Sequence, residues 1–243
     1  MEISTNITMK KIGVLITCWP KRVNQSIVNL KLLRFYNSDL NYEVVFVENG
    51  GFPDDKLYEI LKDYPEVKMI VWNKDNLGLQ RACAKSYNQG FYLLKGMETD
   101  ISISLCARTW ILKNDWIKTC CDGLNQDIKL LVDRVHPVKK RKGFESRIFI
   151  GYTDTLNDIF SNFRLTSFMN RYGFKEEVFE QDFGRIAINM GIGYGSLKDT
   201  IGFEVNHNYD MKNFLELAIR DGCNSKYIKY FAEHINEIER GGL

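Results

Sequence analysis

Glu43 to Gly51 reads EVVFVENGG. Glu43–Val47 is a short apolar run rich in Val, the pattern of a strand buried on both faces. It stops at Glu48-Asn49-Gly50-Gly51, a carboxylate, an amide and two glycines, which reads as a tight turn. The same pattern recurs on either side. Upstream, Lys11 to Thr17 (KIGVLIT) is an earlier apolar run; downstream, Val67 to Trp72 and Asp100 to Leu105 are two more. Between these runs apolar residues recur at helical spacing: Ile27, Leu30 and Leu33 within Asn24 to Tyr36, then Leu57, Ile60, Leu61 and Tyr64 within Pro53 to Tyr64. Pro53 in the first turn, with Asp54 and Asp55 beside it, suits a helix start. A further helix is expected from about Leu79 to Leu94. Strands alternating with helices predict an α/β fold with a mostly parallel sheet covered on both faces. Right-handed crossovers then make it doubly wound.

The chain has 243 residues, enough for one large α/β domain with a sizeable core. Hydrophobic residues make up 44% and charged residues 26%, ordinary usage for a globular protein. A net charge of +2 makes no demand for a nucleic-acid partner. The cysteines, Cys18, Cys83, Cys106, Cys120, Cys121 and Cys223, form no CxxC pair and read as reduced, mostly buried thiols of a cytoplasmic protein. Met1 to Lys11 carries no apolar run, so no signal peptide is read there. No stretch of about 18 apolar residues exists, so no membrane span is expected; peripheral attachment to a membrane surface is compatible with the sequence.

The second half is less regular. Helices are expected at Asp115–Leu124, Thr155–Arg171, Asp182–Met190, Met211–Arg220 and Ser225–Glu239, and strands at Lys129–Val132, Arg147–Tyr152 and Ile201–Val205. Val135 to Gly143 (VHPVKKRKG) reads as a basic loop. Tyr227, Phe231, Ile235 and Ile238 form the inner stripe of the last helix, and Phe160, Phe163 and Phe168 read as core.

In open parallel sheets ligands bind outside the carboxyl ends of the strands, so the residues just after each strand carry the functional reading. They are Thr17-Cys18-Trp19-Pro20, Glu48-Asn49-Gly50-Gly51, Asn73 to Gly78, and Cys106-Ala107-Arg108-Thr109. Their order and spacing resemble the family 2 glycosyltransferases and their relatives of the GT-A fold. That family's second strand ends in Asp, Asp or Asn, Gly, Ser; here stands Glu48-Asn49-Gly50-Gly51. Its third strand leads to N-x-N-L-G and a helix ending in N-x-G; here stand Asn73, Asn76-Leu77-Gly78 and Asn88-Gln89-Gly90. Its later phrase pairs Gly-Phe with two carboxylates one residue apart, an Arg and a Gly; here these are Gly173-Phe174, Glu180, Asp182, Arg185 and Gly191. His207 stands where a His follows a late strand. The resemblance spans roughly residues 11 to 208.

The resemblance implies a single GT-A domain over residues 1–243: a nucleotide-sugar-binding half at about 11–112, an acceptor and catalytic half at about 113–208, and a helical extension at about 209–243. It implies a sugar moved from a nucleoside-diphosphate sugar, UDP-sugar by preference, to a saccharide or glycolipid hydroxyl, with inversion. Thr17, Glu48, Asn49, Gly50, Asn76, Gly78, Arg81, Arg108 and His207 would hold the donor. Glu48 could accept from a base N–H, Gly50 let backbone approach the ligand, Asn76 face base or ribose, and Arg81 reach a phosphate. Asp182 or Glu180 would take the acceptor's proton. Asp182 just ahead of its helix also suits an N-cap.

The fourth strand departs from the family, which reads L-D-x-D there and holds a divalent ion on the donor diphosphate. This chain has Leu105-Cys106-Ala107-Arg108, then Asn114-Asp115-Trp116. Hard cations need oxygen ligands, and a thiol, a methyl and a guanidinium supply none. Arg108 puts a fixed positive charge where the metal would sit and could clamp the departing diphosphate. No metal cofactor is therefore expected. His207 and the basic run His136, Lys139, Lys140, Arg141 and Lys142 could add to that charge, or bind an anionic acceptor or lipid headgroups. Two other readings stand beside this one: a catalytically silent nucleotide or glycan binder, and a sugar nucleotidyltransferase. The latter wants a Gly-rich basic loop after the first strand, and Thr17 to Arg22 (TCWPKR) has no glycine.

Overall fold

The computed structural model describes residues 10–19, 22–50, 58–59, 62–73, 79–107, 109–138, 141–163, 177–202 and 211–239. Its strands are β1 (Ile12–Cys18), β2 (Tyr42–Asn49), β3 (Val67–Asn73), β4 (Ile101–Cys106), β5 (Leu130–Val132), β6 (Val135–Val138), β7 (Arg141–Phe144), β8 (Ile148–Tyr152) and β9 (Tyr194–Ser196). Its helices are α1 (Val23–Tyr36), α2 (Leu79–Gly96), α3 (Trp116–Gly123), α4 (Thr153–Ser161), α5 (Glu177–Asn189), α6 (Leu197–Ile201), α7 (Met211–Arg220) and α8 (Lys226–Glu239). Seven strands form one sheet in the order β3-β2-β1-β4-β8-β5-β9. β1 pairs in parallel with both β2 and β4, β2 with β3, and β5 with β9; β8 runs antiparallel to its neighbours β4 and β5. The α/β fold with a mostly parallel sheet is as expected.

Side chains alternate across a strand, so each central strand feeds two cores. Ile12, Val14, Ile16 and Cys18 of β1 and Val44 and Phe46 of β2 face one layer, where Ile27 and Leu30 of α1 meet Phe231 and Ile235 of α8. Leu15, Val45 and Val47 face the other, where α2, α4 and α5 bring Tyr87, Phe91, Phe160 and Phe183 together with Phe149 of β8. These rings pack edge-on, tilted or stacked, the Phe149–Phe183 centroids lying 4.8 Å apart. Burying each such ring contributes about 1.5–3 kcal/mol. Phe160 is core, as expected; Phe168 lies outside the described residues, as does Ile238's side chain.

Several expectations need correction. The run Val135–Gly143 is not a loop: β6 and β7 pair antiparallel as a separate hairpin, Val135 opposite Phe144 and Val138 opposite Arg141. Its charge hid an anchored ribbon, because Phe144 is fully buried against Phe183. Ile201 ends helix α6 rather than opening a strand. Ser196 caps that helix by accepting from Asp199 N–H at 3.1 Å, and Gly202 stops it at φ 63°. The last strand of the sheet is β9, which is only three residues long. Residues 203–205 lie outside the described residues. Helix α4 ends at Ser161, where Ser161 Oγ and Asn162 Nδ2 both donate to the Asp158 carbonyl. Asp182 is no cap: α5 already runs from Glu177, because the apolar spacing of Phe179, Phe183 and Ala187 extends upstream of it.

Candidate functional site

Register places the strand ends side by side. Cys18 lies opposite Glu48, Glu48 opposite Trp72, and Asn49 opposite Asn73, while Thr17 lies opposite Cys106. Alternation sends Glu48 to the α1 side and Thr17, Asn49 and Asn73 to the α2 side. Gly50 follows with φ 84°, a left-handed turn that favours glycine, and its N–H donates to the Asn73 carbonyl at 2.9 Å. The half-buried Trp19 ring lies 4.0 Å from where a Cβ on Gly50 would stand.

Asn49 is committed within the protein. Its Oδ1 accepts from Asn73 Nδ2 at 3.1 Å and Ser86 Oγ at 2.7 Å, so it ties the ends of β2 and β3 to α2. Glu48 is also buried, at 1% exposure. Two buried donors nearby have no hydrogen-bond partner: Trp72 Nε1 at the end of β3 and Thr109 Oγ1 just past β4. Buried polar groups are normally satisfied by protein or water, so these two atoms can each take a further partner.

The segment after β4 is pinned from three sides. Asn29 Nδ2 of α1 donates to the carbonyls of Cys106 and Ala107 at 3.0 and 3.2 Å. Trp110 Nε1 donates to the Ala107 carbonyl at 3.3 Å, and Ala107 N–H donates to Thr17 O at 3.2 Å. The backbone on both sides of Arg108 is thus fixed; Arg108 itself lies outside the described residues. The residues at this turn do not fit a divalent ion. Cys106 offers a half-buried thiol, Ala107 a methyl, and no carboxylate occupies the phrase.

Because β8 runs antiparallel, its start reaches the same end of the sheet. Leu105 lies opposite Ile148, and Cys106 N–H donates to the Arg147 carbonyl at 2.8 Å. The preceding loop, Glu145-Ser146-Arg147, therefore borders the site. Tyr87 of α2 holds it, its hydroxyl donating to the Ser146 carbonyl at 2.7 Å. The phenol also lies beside the hydroxyls of Thr17 and Ser104, and burial pushes it well above its ordinary value. Ser146 in turn holds α5: its N–H and Oγ both donate to Glu180 Oε1, at 3.3 and 3.2 Å. Gly143 permits this approach, since a Cβ there would stand 3.3 Å from the Glu180 carbonyl group. Glu180 also meets the buried carboxyl of Glu145. Burial, then the Glu145 charge and hydrogen bond, push the Glu180 carboxyl up to about 7 from its ordinary 4.5. Arg147 Nε lies 3.5 Å from Glu145 Oε1, with its side chain 42% exposed.

Of the residues expected here, Thr17, Glu48, Asn49 and Gly50 lie at the ends of β1 and β2, and Glu180 is joined to the Thr17 side through Ser146 and Tyr87. Asp182 does not join them in the same way: Arg185 binds it from one turn on, both Nε and a terminal nitrogen at 3.0 Å from Oδ1. Arg81 lies in the first turn of α2, and its side chain is outside the described residues, as are Asn76, Gly78 and His207. Sequence reasoning missed Tyr87, Glu145, Ser146 and Arg147. Only the antiparallel course of β8 brings the last three to the site, and no local pattern announces that reversal.

All cysteines are free. Burial raises the Cys120, Cys121 and Cys223 thiols, Cys121 to about 11, as inert core thiols require. Among the described residues no group of three or more His, Cys, Asp or Glu gathers as for a metal, and no helix is long and apolar enough to cross a membrane.

No protein-family model matches the sequence, and no curated protein matches it. Solved structures do match in fold. A protein assigned as a nucleotide-diphospho-sugar transferase from Desulfovibrio desulfuricans G20 superposes with a TM-score of 0.56 at 10% identity, over 96% of this chain and 99% of that one. A cytidylyltransferase from Leptospira borgpetersenii superposes at 0.54 and 17% identity, over 95% and 96%. The mannosyltransferase PcManGT from Pyrobaculum calidifontis, solved with GDP-Man and Mn²⁺, superposes at 0.53 and 13% identity, over 94% of this chain and 70% of that one. The chain therefore has the α/β fold seen in nucleotide-diphospho-sugar transferases, a seven-stranded sheet flanked by helices in one domain.

Proposed function

We propose that the chain is a glycosyltransferase that moves a sugar from a nucleoside-diphosphate sugar to a saccharide or lipid-linked saccharide hydroxyl, with inversion and without a metal. The observation that carries this is Glu180. A half-buried carboxyl, held by two donors of Ser146 and raised to about 7, stands at the strand ends of a nucleotide-sugar fold. A general base is most effective when its pKa lies near the working pH. In the reaction the acceptor oxygen attacks the anomeric carbon, the bond from that carbon to the phosphate oxygen breaks, and Glu180 takes the acceptor proton. The diphosphate departs with its negative charge met by Arg108 and by Arg147 beside Cys106. Glu48 would accept from the base N–H, and Thr17 and Gly50 would line the nucleotide. Asn76, Gly78, Arg81 and His207 remain proposed donor contacts. Asp182, bound by Arg185, is the weaker candidate base.

The full-length likeness to a cytidylyltransferase favours a second reading, nucleotidyl transfer. Against it stands the turn after β1, which has no glycine. Titration calorimetry separates the two. UDP should bind with a Kd below about a millimolar while CTP binds more weakly; CTP binding alone would favour the second reading, and binding of neither would overturn both.

A further inference from the structure

A groove of about 510 Å³ lies over α1, between the segment that joins β2 to β3 and helix α8. That volume falls in the range of about 300–1,000 Å³ usual for small-molecule sites. Ile27 and Val28 of α1 and Phe231 of α8, all buried, make its floor. Glu59 and Asp63 stand exposed on the rim of the joining segment, and Tyr230 on the rim of α8. Asn24, in the first turn of α1, marks the end nearest the carboxyl ends of the strands. The Arg22 N–H donates to the Trp19 carbonyl at 2.7 Å, a turn that starts α1 directly after β1.

Tyr64 sets this groove apart from a surface crease. It lines the groove, is 2% exposed, and its hydroxyl has no hydrogen-bond partner among the described residues. A phenol this deep normally finds one. The ring itself is held: Lys31 Nζ and the Arg34 guanidinium lie 4.7 and 4.6 Å from its centroid. The Val67 N–H also donates to the Tyr64 carbonyl at 2.9 Å, which fixes the backbone. Tyr230 is pre-set too. His234 stacks on it with centroids 4.4 Å apart, yet Tyr230 stays 42% exposed.

We propose that this groove binds a neutral saccharide chain, with Tyr230 against the C–H face of a sugar ring and Glu59, Asp63 and the Tyr64 hydroxyl bonding its hydroxyls. A sugar ring has an apolar face and a rim of hydroxyls that both donate and accept, and the groove offers apolar and polar surface side by side. Ionised Glu59 and Asp63 accept only, which suits hydroxyl donors, and the Tyr64 hydroxyl can do either. An acyl chain would leave that hydroxyl unmet. An anionic ligand would meet the two carboxylates as like charges. Lys226 lines the α8 side, but it lies over the Tyr227 ring, 5.0 Å from the centroid, where a π face already attracts it. The choice of a saccharide rests on the transferase reading, since such an enzyme handles a chain longer than the ring that reacts. From Asn24 the groove leads that chain away from the strand ends.

The test is NMR of the whole chain labelled with ¹³C in its tyrosine rings, with cellopentaose, maltopentaose and chitopentaose as probes and no nucleotide present. At least one probe should shift the Tyr64, Tyr227 and Tyr230 signals saturably at millimolar concentration. Tyr230→Ala should weaken that binding about two- to tenfold, as for loss of one stacked ring. Tyr64→Phe should weaken it about two- to tenfold as well, as for one lost hydrogen bond, while its urea midpoint holds or rises because the hydroxyl has no partner in the unliganded chain. A lower midpoint in Tyr64→Phe would show the hydroxyl bonded within the protein and overturn the proposal. Tyr230→Ala, which removes an exposed ring, keeps the proposal open to refutation if Tyr64→Phe does not fold. Tyrosine signals that none of the probes moves overturn it, as do shifts that Tyr230→Ala leaves unchanged. Signals that move with protein concentration alone would seat a second copy in the groove and overturn it too. Calorimetry with UDP separates this from failure of the transferase reading. Saccharide binding without nucleotide binding keeps the groove and sinks the transferase. Nucleotide binding with no saccharide on these tyrosines keeps the strand-end site and sinks the groove.

Discussion

Asn49 shows how much a single residue can mislead and inform. In the sequence it is an amide after a strand, placed where donor ligands bind. In the fold its Oδ1 is already satisfied by Asn73 and Ser86, both buried. Asn49→Ala would leave the Asn73 amide without its acceptor inside the protein, whereas the single hydroxyl hydrogen of Ser86, which has Asn49 Oδ1 and the Ala82 carbonyl both in reach, can still go to Ala82 O at 2.6 Å. Stranding one buried polar group costs about 1–3 kcal/mol. Urea denaturation should show that loss as a lower midpoint with an unchanged slope. If stability is unchanged and only nucleotide affinity falls, Asn49 touches the ligand after all. The position of Asn49 was legible because strand ends follow from periodicity. Its bonding was not, because Ser86 lies 37 residues away, on a helix face that only the packed sheet defines.

At the scale of one element, α5 explains why a carboxylate pair spaced by one residue cannot act as one. Residues two apart on a helix lie about 200° around the axis. Glu180 turns to Ser146 and the strand ends, while Asp182 pairs along the helix with Arg185. The two substitutions should therefore separate. Glu180→Gln should lower turnover by ~10²–10⁴-fold with donor affinity nearly intact, since a positioned base acts on the acceptor. Asp182→Asn should cost little more than a surface ion pair, roughly 0–1 kcal/mol of stability. Steady-state rates with a saturating donor check this; the reverse ranking would return the base to Asp182. The sequence marked both carboxylates, but it started the helix at Asp182. That error of phase hid which of them faces inward. The basic run from Val135 failed for a similar reason: the anchor of the hairpin is Phe144, one residue beyond the charged stretch, and its partner Phe183 lies on α5.

The whole molecule decides the question of charge. The strand-helix alternation of the first half was readable because each parallel unit is built from local periodicity. The antiparallel insertion of β8 between β4 and β5 was not, because strand direction depends on pairing over a long range. That insertion delivers Arg147 to the turn of Cys106 and Ala107. A departing diphosphate gains negative charge, and a fold neighbour is solved in complex with GDP-Man and Mn²⁺. Here the thiol, the methyl and the guanidinium of Cys106-Ala107-Arg108 supply no hard oxygen ligand, and a dication would be repelled by Arg108. On the proposed reading the balance comes from cations contributed by separate stretches of the chain: Arg108 after β4 and Arg147 before β8, with His207 and the lysines between β6 and β7 as further candidates. Nucleotide binding and transfer should then survive EDTA, and added Mn²⁺ should change them little. Arg108→Ala should slow transfer by about 10²-fold or more, as for loss of one preorganised electrostatic group. Arg108→Lys should rescue only in part, because the planar fork that grips two phosphate oxygens is lost. Turnover that dies in EDTA and revives with Mn²⁺ would overturn this reading and point to oxygen ligands elsewhere, with Glu48 the first to replace.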